Sequence, residues 1–204
     1  MLLVKRPSAT FRDPIHGFIH ADSLERALID SRPVQRLRSI RQLGFTSLVF
    51  PGAEHTRFSH VLGAMDLAGR VYDALASRNP DLLDNRPDSH DRRLVRLAAL
   101  LHDIAHAPFI HSAEGHVEDD LHHEDLTQPL LRTEELEALF ERWGEGLEPP
   151  QVARLLESPD TARERLLSQI ISSELDVDKM DYLLRDSLFC GVRYGNFDLA
   201  RLLD

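Results

Sequence analysis

Residues 94–111 read LVRLAALLHDIAHAPFIH, and the first eight of them contain a single polar side chain, Arg96. A helix of this composition is buried on nearly every side. His102 and Asp103 stand at the end of the apolar run, where an imidazole and a carboxylate are costly unless something satisfies them. A cation would do so, because one nitrogen and one oxygen donor suit Zn, Fe, Mn, Co or Ni. For an isolated His-Asp dipeptide a buried hydrogen bond is the simpler interpretation. The choice between a hydrogen bond and a metal site therefore depends on the rest of the chain.

Composition describes an ordinary globular protein of 204 residues, with 42% hydrophobic and 28% charged residues, which suits one domain. No apolar stretch approaches the roughly 20 residues of a membrane span, and the apolar start is too short for a secretory signal. The single cysteine, Cys190, excludes an intramolecular disulfide and predicts a reducing, cytoplasmic location. A net charge of −10 argues against broad nucleic-acid binding and leaves room only for a local basic pocket.

Helical periodicity predicts an all-α fold in one domain, residues 1–204. Residues 1–21 are expected to be an extended segment and residues 22–204 a helical core. The clearest helix covers residues 56–77, where apolar side chains recur at three- and four-residue steps and form one stripe. The other predicted helices are 22–30, 33–44, 92–106, 124–142, 150–157, 160–173 and 177–188, separated by Pro, Gly and polar segments.

Four potential metal donors lie on three of these predicted helices: His60, the pair His102 and Asp103, and Asp178. Each is surrounded by apolar periodic positions, so each should face a packed interior or a cleft. The spacing alone does not bring them together.

Six motifs carry a family resemblance. They are DPIHG (13–17), QRLRSIRQLG (35–44), FPGAEHTRFSH (50–60), LLHDIAHAPFIH (100–111), HHEDL (122–126) and DVDKMDYLLRD (176–186), and NFDLARL (196–202) extends the match. With these motifs in this order the chain resembles the HD-domain metal-dependent phosphohydrolases, and more closely their deoxynucleoside triphosphate triphosphohydrolase branch. The resemblance implies an HD-domain helical bundle with short extended pieces near the N-terminus.

The resemblance also implies a divalent metal held by His60, His102, Asp103 and Asp178. Two imidazoles and two carboxylates leave coordination positions for water and a phosphate oxygen. Such a set accommodates Mg, Mn, Fe, Ni, Co or Zn, so the metal's identity stays open.

Catalytic and phosphate-binding roles follow by the same resemblance. Arg57 lies three residues before a metal-donor histidine, hence on the same helical face, and is placed to hold a phosphate. His106 and His111 are expected on the rim of the pocket, and either of them protonates the leaving group. His123 pairs with Glu114, at a position where the family often carries Asp.

The sugar-binding residues are expected on two segments. Lys179 would contact phosphate, Tyr182 would pack on the sugar, and Asp186 would accept the 3′-hydroxyl. Gln42 and Leu43 would line the sugar, and an apolar Leu43 against the 2′ carbon would disfavour a ribose hydroxyl. Simple core packing is the competing interpretation of Leu43.

Asp30, Gln35 and Arg38 match positions of a regulatory nucleotide site in some family members. Helix capping and surface exposure are the alternative.

The favoured function is hydrolysis of a deoxynucleoside triphosphate to deoxynucleoside and inorganic triphosphate. The alternatives are a nucleotidase or phosphodiesterase acting on monophosphates or nucleic-acid ends, and a catalytically incomplete nucleotide-binding regulatory domain. The resemblance implies a homo-oligomer, and the hydropathy predicts no membrane association. Because the branch usually continues past the position of Asp204, the chain is expected to lack a C-terminal helical region.

Overall fold

The computed structural model describes residues 8–107 and 126–204. Within these ranges ten α-helices and one two-stranded hairpin are present, and the predicted all-α class is confirmed. The residues predicted at His111, Glu114 and His123 lie outside the described residues. In the part of the chain that is described, each helix is too short or too polar to cross a bilayer.

The hairpin precedes the helices. Strands β1 (Ala9–Asp13) and β2 (Gly17–Ala21) pair antiparallel, with Phe11 opposite Ile19. The helices are α1 (Ser23–Ile29), α2 (Arg32–Arg36), α3 (Arg57–Arg78), α4 (His90–Leu101), α5 (Thr127–Leu131), α6 (Glu134–Trp143), α7 (Pro149–Glu157), α8 (Ala162–Ile171), α9 (Val177–Cys190) and α10 (Leu199–Leu203). Two 3₁₀ segments, Leu37–Ser39 and Gly44–Leu48, lie between α2 and α3.

The centre of the fold is α3, which packs against both α4 and α9. Its apolar stripe is buried as the periodicity predicts, and Val61, Met65 and Ala68 are fully inaccessible to solvent. In α4 every residue from 94 to 101 is buried, in agreement with the composition of that run. Both helices contribute many residues to the core, and one end of each carries candidate metal donors.

The predicted helix 33–44 is wrong beyond Arg36, because the chain there pairs with a distant segment. Ile40 is extended, Arg41 forms a bridge with Thr56, and the Gln42 amide donates to the carbonyl of His55 at 3.0 Å. This pairing displaces the local helical pattern and places residues 40–42 beside the start of α3.

Two further helix boundaries differ from the prediction. The helix expected over 92–106 ends at Leu101, and Arg36 donates to the carbonyl oxygens of Ile104 and His106 at 2.6 and 2.8 Å. These carbonyls are thus satisfied by a side chain instead of a helical N–H. The helix expected over 124–142 is interrupted at Thr133, which is extended and whose hydroxyl donates to the Leu130 carbonyl.

Arg96, the lone polar residue of the buried run, forms a two-point ion pair with Glu25. The two distances are 2.6 and 2.9 Å, and Arg96 also donates to the carbonyl of His20 at 2.7 Å. The pair joins α4 to α1 and to the hairpin. Because both side chains are almost fully buried, removing one partner leaves an uncompensated charge in the core.

The Arg96→Met variant should lose about 3–5 kcal/mol of unfolding free energy, because Glu25 would stay buried and charged without its partner. Urea denaturation followed by circular dichroism measures the loss. Adding Glu25→Gln removes that charge and keeps an oxygen for the Asp22 amide, so the double variant should be more stable than the single one. A single variant as stable as the parent chain would contradict this assignment.

Candidate metal centre and its cleft

Three helices bring metal donors to one point. His60 lies on α3, His102 at the C-terminal end of α4, and Asp178 in the first turn of α9. Their donor atoms lie within 4.8 Å of one another. The Nε2 atoms of the two histidines are 3.3 Å apart, and His60 Nε2 is 2.9 Å from Asp178 Oδ1. Three of the four donors predicted from the sequence therefore meet.

The outer nitrogens of both rings are held by acceptors. His60 Nδ1 lies 2.8 Å from Asp181 Oδ2, and His102 Nδ1 lies 2.7 Å from the carbonyl oxygen of Ala99. A carboxylate and a carbonyl only accept, so each Nδ1 carries a hydrogen, and each ring in its neutral form directs its Nε2 lone pair inward. Two lone pairs and the Asp178 carboxylate converging on one point are the donor arrangement that a divalent cation requires.

The carboxylates around the two histidines also favour a positive charge at this point. Burial opposes protonation of His60, but its hydrogen bonds with Asp178 and Asp181 outweigh burial and raise the pKa of His60 to about 10. Burial likewise opposes protonation of His102, and the Asp103 charge and the contact with Asp178 nevertheless raise its pKa. Without a cation, the site thus attracts a proton.

Asp103, the fourth predicted donor, lies at the edge of this group. Its Oδ1 is 3.5 Å from His102 Nε2 and 3.1 Å from His106 Nδ1, and its Oδ2 accepts from Arg57 Nη1 at 2.6 Å. Burial alone would raise the pKa of Asp103, but the positive charges of His102 and Arg57 hold it far below its ordinary value. Asp103 is therefore a carboxylate with one oxygen fixed by Arg57 and the other turned towards the two histidines.

Arg57 is only 6% exposed, and one of its nitrogens is committed to Asp103. Its Nε atom is buried with no hydrogen-bond partner among residues 8–107 and 126–204. The guanidinium thus has donor capacity left for an anion.

A cleft of about 770 Å³ opens above the donors. Ten residues singled out from the sequence line it: Gln42, Leu43, Arg57, His102, Asp103, His106, Asp178, Lys179, Tyr182 and Asp186. Leu43 is partly exposed on this wall and is not part of the buried core. The rest of the lining was not anticipated, and comprises Thr127, Leu156, Glu157, Ile171, Ser172 and Asp176.

Lys179 is fixed at the start of α9. Its Nζ lies 2.7 Å from Asp176 Oδ2 and donates to the carbonyl of Ser173 at 2.8 Å. The hydrogen bond with Asp176 raises the pKa of Lys179, so the ammonium is charged. A fixed positive charge therefore lies on the cleft wall next to Asp178.

His55 is a site residue that sequence reasoning missed. It is 5% exposed, and its Nε2 lies 2.8 Å from Asp186 Oδ1. Its ring stacks on Phe189 with centroids 4.8 Å apart. His55 belongs to the FPGAEHTRFSH motif. Its contact with Asp186 joins two distant segments, and sequence spacing does not predict such a contact.

Asp30 lies between α1 and α2, Gln35 on α2 and Arg38 in the 3₁₀ segment that follows, and none of the three lines the cleft. Asp30 follows the last turn of α1, Gln35 donates to the Ile29 carbonyl at 2.7 Å, and Arg38 donates to Gln35 Oε1 at 2.8 Å. The Gln35 contact satisfies a carbonyl at the C-terminal end of α1, which is the kind of contact that the capping alternative expects. A regulatory nucleotide role for the three residues stays a prediction.

Comparison with known proteins adds independent findings. The family model of the HD domain matches residues 57–186. The chain is 41% identical over 197 residues to the uncharacterized protein YwfO of Bacillus subtilis, which covers 95% of this chain and 43% of that protein. It is 36% identical over 227 residues to the deoxynucleoside triphosphate triphosphohydrolase SAMHD1 of Danio rerio, covering 97% of this chain and 36% of that protein.

A solved structure is similar as well. A hypothetical protein from Aquifex aeolicus superposes with a TM-score of 0.79 at 39% identity, covering 97% of this chain and 50% of that one. The chain therefore spans half or less of the length of each of these relatives.

Replacing His102 with Ala should remove one of the inward nitrogen donors and weaken Mn²⁺ binding by about 100-fold or more, beyond the 10- to 100-fold typical of groups that only hydrogen-bond to ligands. Isothermal titration with Mn²⁺ measures the affinity. His90→Ala, at a half-exposed position at the start of α4, is the matched control and should bind as the parent chain does. Unchanged affinity in the His102 variant would exclude the histidine as a ligand.

Proposed function

This chain belongs to the HD-domain family of phosphohydrolases, and we propose that it hydrolyses deoxynucleoside triphosphates to deoxynucleoside and inorganic triphosphate. The observation that carries the proposal is the inward-facing set of His60, His102 and Asp178 at the cleft, with Arg57 and Lys179 nearby. Similarity to a relative named as a deoxynucleoside triphosphate triphosphohydrolase supports the substrate class.

In the proposed reaction, water attacks the α-phosphorus and the bond from that phosphorus to the 5′-oxygen breaks. A bound divalent cation supplies polarisation of a phosphoryl oxygen and activation of water. The rest of the catalysis is positioning and charge stabilisation. Arg57, braced by Asp103, and Lys179, braced by Asp176, offer two fixed positive charges to the triphosphate.

The departing 5′-oxygen needs a proton to leave as a hydroxyl group. His106 is 7% exposed, lines the cleft and lies beside Asp103, so it can deliver a proton inside the cleft. We assign His106 this donor role, with His111 as the alternative that the sequence motif offers. The pair of His123 and Glu114 stays a prediction from the motif.

The part of the cleft lined by Gln42, Leu43, Tyr182 and Asp186 is proposed to hold the sugar. Asp186 keeps one oxygen in the contact with His55 and has the other for a 3′-hydroxyl. Tyr182 and Gln42 line the same cleft, and Leu43 presents an apolar, partly exposed side chain there. A ribose 2′-hydroxyl placed against Leu43 would lose its hydration without gaining a partner.

Product analysis tests the reaction. Incubating the purified chain with each deoxynucleoside triphosphate and Mn²⁺ should release deoxynucleoside and inorganic triphosphate in equal amounts, which ³¹P NMR distinguishes from orthophosphate. His102→Ala is the control for contaminating phosphatases and should release neither product. Orthophosphate release, or turnover of monophosphates, would instead identify a nucleotidase or phosphodiesterase. Binding of the deoxynucleotide without any turnover would identify a regulatory domain.

The sugar assignment has its own test. Leu43→Ala opens space at the proposed 2′ position, so the preference of kcat/KM for deoxy- over ribonucleotides should fall about tenfold, a typical value of one apolar contact. Leu48→Ala is a matched control, because Leu48 is 81% exposed and lies outside the cleft. If both variants keep the parent preference, Leu43 does not select the sugar.

A further inference from the structure

Asp181 is a fully buried carboxylate directly behind the metal donors. Its Oδ2 accepts from His60 Nδ1 at 2.8 Å, and its Oδ1 accepts from His16 Nε2 at 2.7 Å. Arg185, also fully buried, donates to both oxygens at 2.8 Å. Burial by itself would raise the pKa of Asp181, but the hydrogen bonds from Arg185, His16 and His60 hold it far below its ordinary value. The carboxylate is therefore charged, saturated with donors and unable to turn.

The turn of the hairpin supplies part of this arrangement. Asp13 Oδ1 accepts the amides of Ile15 and His16 at 2.8 and 3.0 Å, which shapes the turn between β1 and β2. Asp13 Oδ2 accepts from Arg185 Nη1 at 2.9 Å. The Asp13 carboxylate thus fixes both the turn that contains His16 and the arginine that donates to Asp181.

The contact between α3 and α9 is tight at this point. A Cβ atom added to Gly63 would lie 1.9 Å from Asp181 Oδ1 and 2.5 Å from Arg185 Nη2. Both atoms are locked in the hydrogen bonds just described, so neither can move aside without breaking them. Gly63 is therefore required for Asp181 to reach His60.

We propose that Asp181 is a positioning residue for the metal centre, and that His16 from the hairpin turn is part of the same unit. Asp181 fixes the rotation and tautomer of His60, and His16 fixes Asp181. The affinity of the site for its divalent cation then depends on a side chain that contacts neither metal nor substrate. Groups that hydrogen-bond to a metal-ligating histidine typically contribute about 10- to 100-fold to affinity.

This inference depends on the metal centre of the proposed function and is independent of the substrate. Cation affinity therefore tests it, and turnover does not. Co²⁺ is a suitable probe, since its visible absorption reports ligand geometry as well as occupancy. Failure of the parent chain to bind Co²⁺ would overturn the metal centre itself. Binding by the parent chain with no effect of the variants would overturn only the positioning role.

Three variants of the full chain perturb the unit at different points. Asp181→Asn should weaken Co²⁺ binding by about 10- to 100-fold, and His16→Ala by about tenfold. Gly63→Ala displaces the carboxylate without altering any polar group, and should give a similar loss together with a changed Co²⁺ spectrum. Circular dichroism checks that each variant is folded.

Two matched controls separate positioning from general disturbance. Gly69→Ala lies on the same helix and crowds Arg96, with a Cβ 2.8 Å from Arg96 Nη1, away from the metal donors, and should bind Co²⁺ as the parent chain does. His16→Gln keeps an N–H donor for Asp181 and should bind more tightly than His16→Ala.

The decisive pair is His16→Ala and Gly63→Ala, because Asp181→Asn also leaves Arg185 buried without its main partner. Weakened Co²⁺ binding in folded forms of this pair, with normal binding in Gly69→Ala, supports the proposal. Parent-like affinity in the folded pair overturns it. Loss of folding in the pair under saturating Co²⁺ also overturns it, because the unit would then serve folding alone.

Discussion

The inner nitrogens of His60 and His102 lie 3.3 Å apart, an approach that is favourable only when a proton or a cation lies between or beside them. Folding fixes this approach, since the rings are carried by α3 and α4, which pack against each other in the core. Asp178, at the start of α9, supplies the negative partner. The core therefore holds two imidazoles and a carboxylate together in an arrangement that a positive charge stabilises, as expected of a preorganised site.

Two carboxylates of the cleft are fixed by neighbouring side chains. One oxygen of Asp103 is held by Arg57 and the other is turned towards His102 and His106, and one oxygen of Asp186 is held by His55. Holding the carboxylates from behind removes rotamer freedom before any ligand arrives, which lowers the entropy cost of binding. Asp181, which lies behind the metal donors, is fixed in the same way by hydrogen bonds from Arg185 and His16.

The periodicity of apolar residues predicted the helices whose positions depend on their own side-chain pattern. The stripe on α3 and the apolar run of α4 follow from side-chain spacing and burial, and both helices lie close to where the sequence places them. The donors at His60, His102 and Asp178 could be singled out because polar groups are rare in such surroundings.

The remaining features depend on contacts between distant segments. Residues 40–42 leave the helical pattern because they pair with residues 55–57, and no periodicity within 33–44 encodes that choice. His55 and Asp181 were passed over for the same reason. Each looks like an ordinary polar residue in its own segment, and its role follows only from the partner that the fold brings to it.

The hairpin turn has a consequence for the order of events in making this protein. The bond from His16 to Asp181 joins residues 165 positions apart, and loops of that length close late, after most local structure has formed. During synthesis the turn and its helical partner cannot meet until α9 has left the ribosome. The proposed unit of His16 and Asp181 is therefore complete only after α9 has been made and has packed behind the hairpin turn.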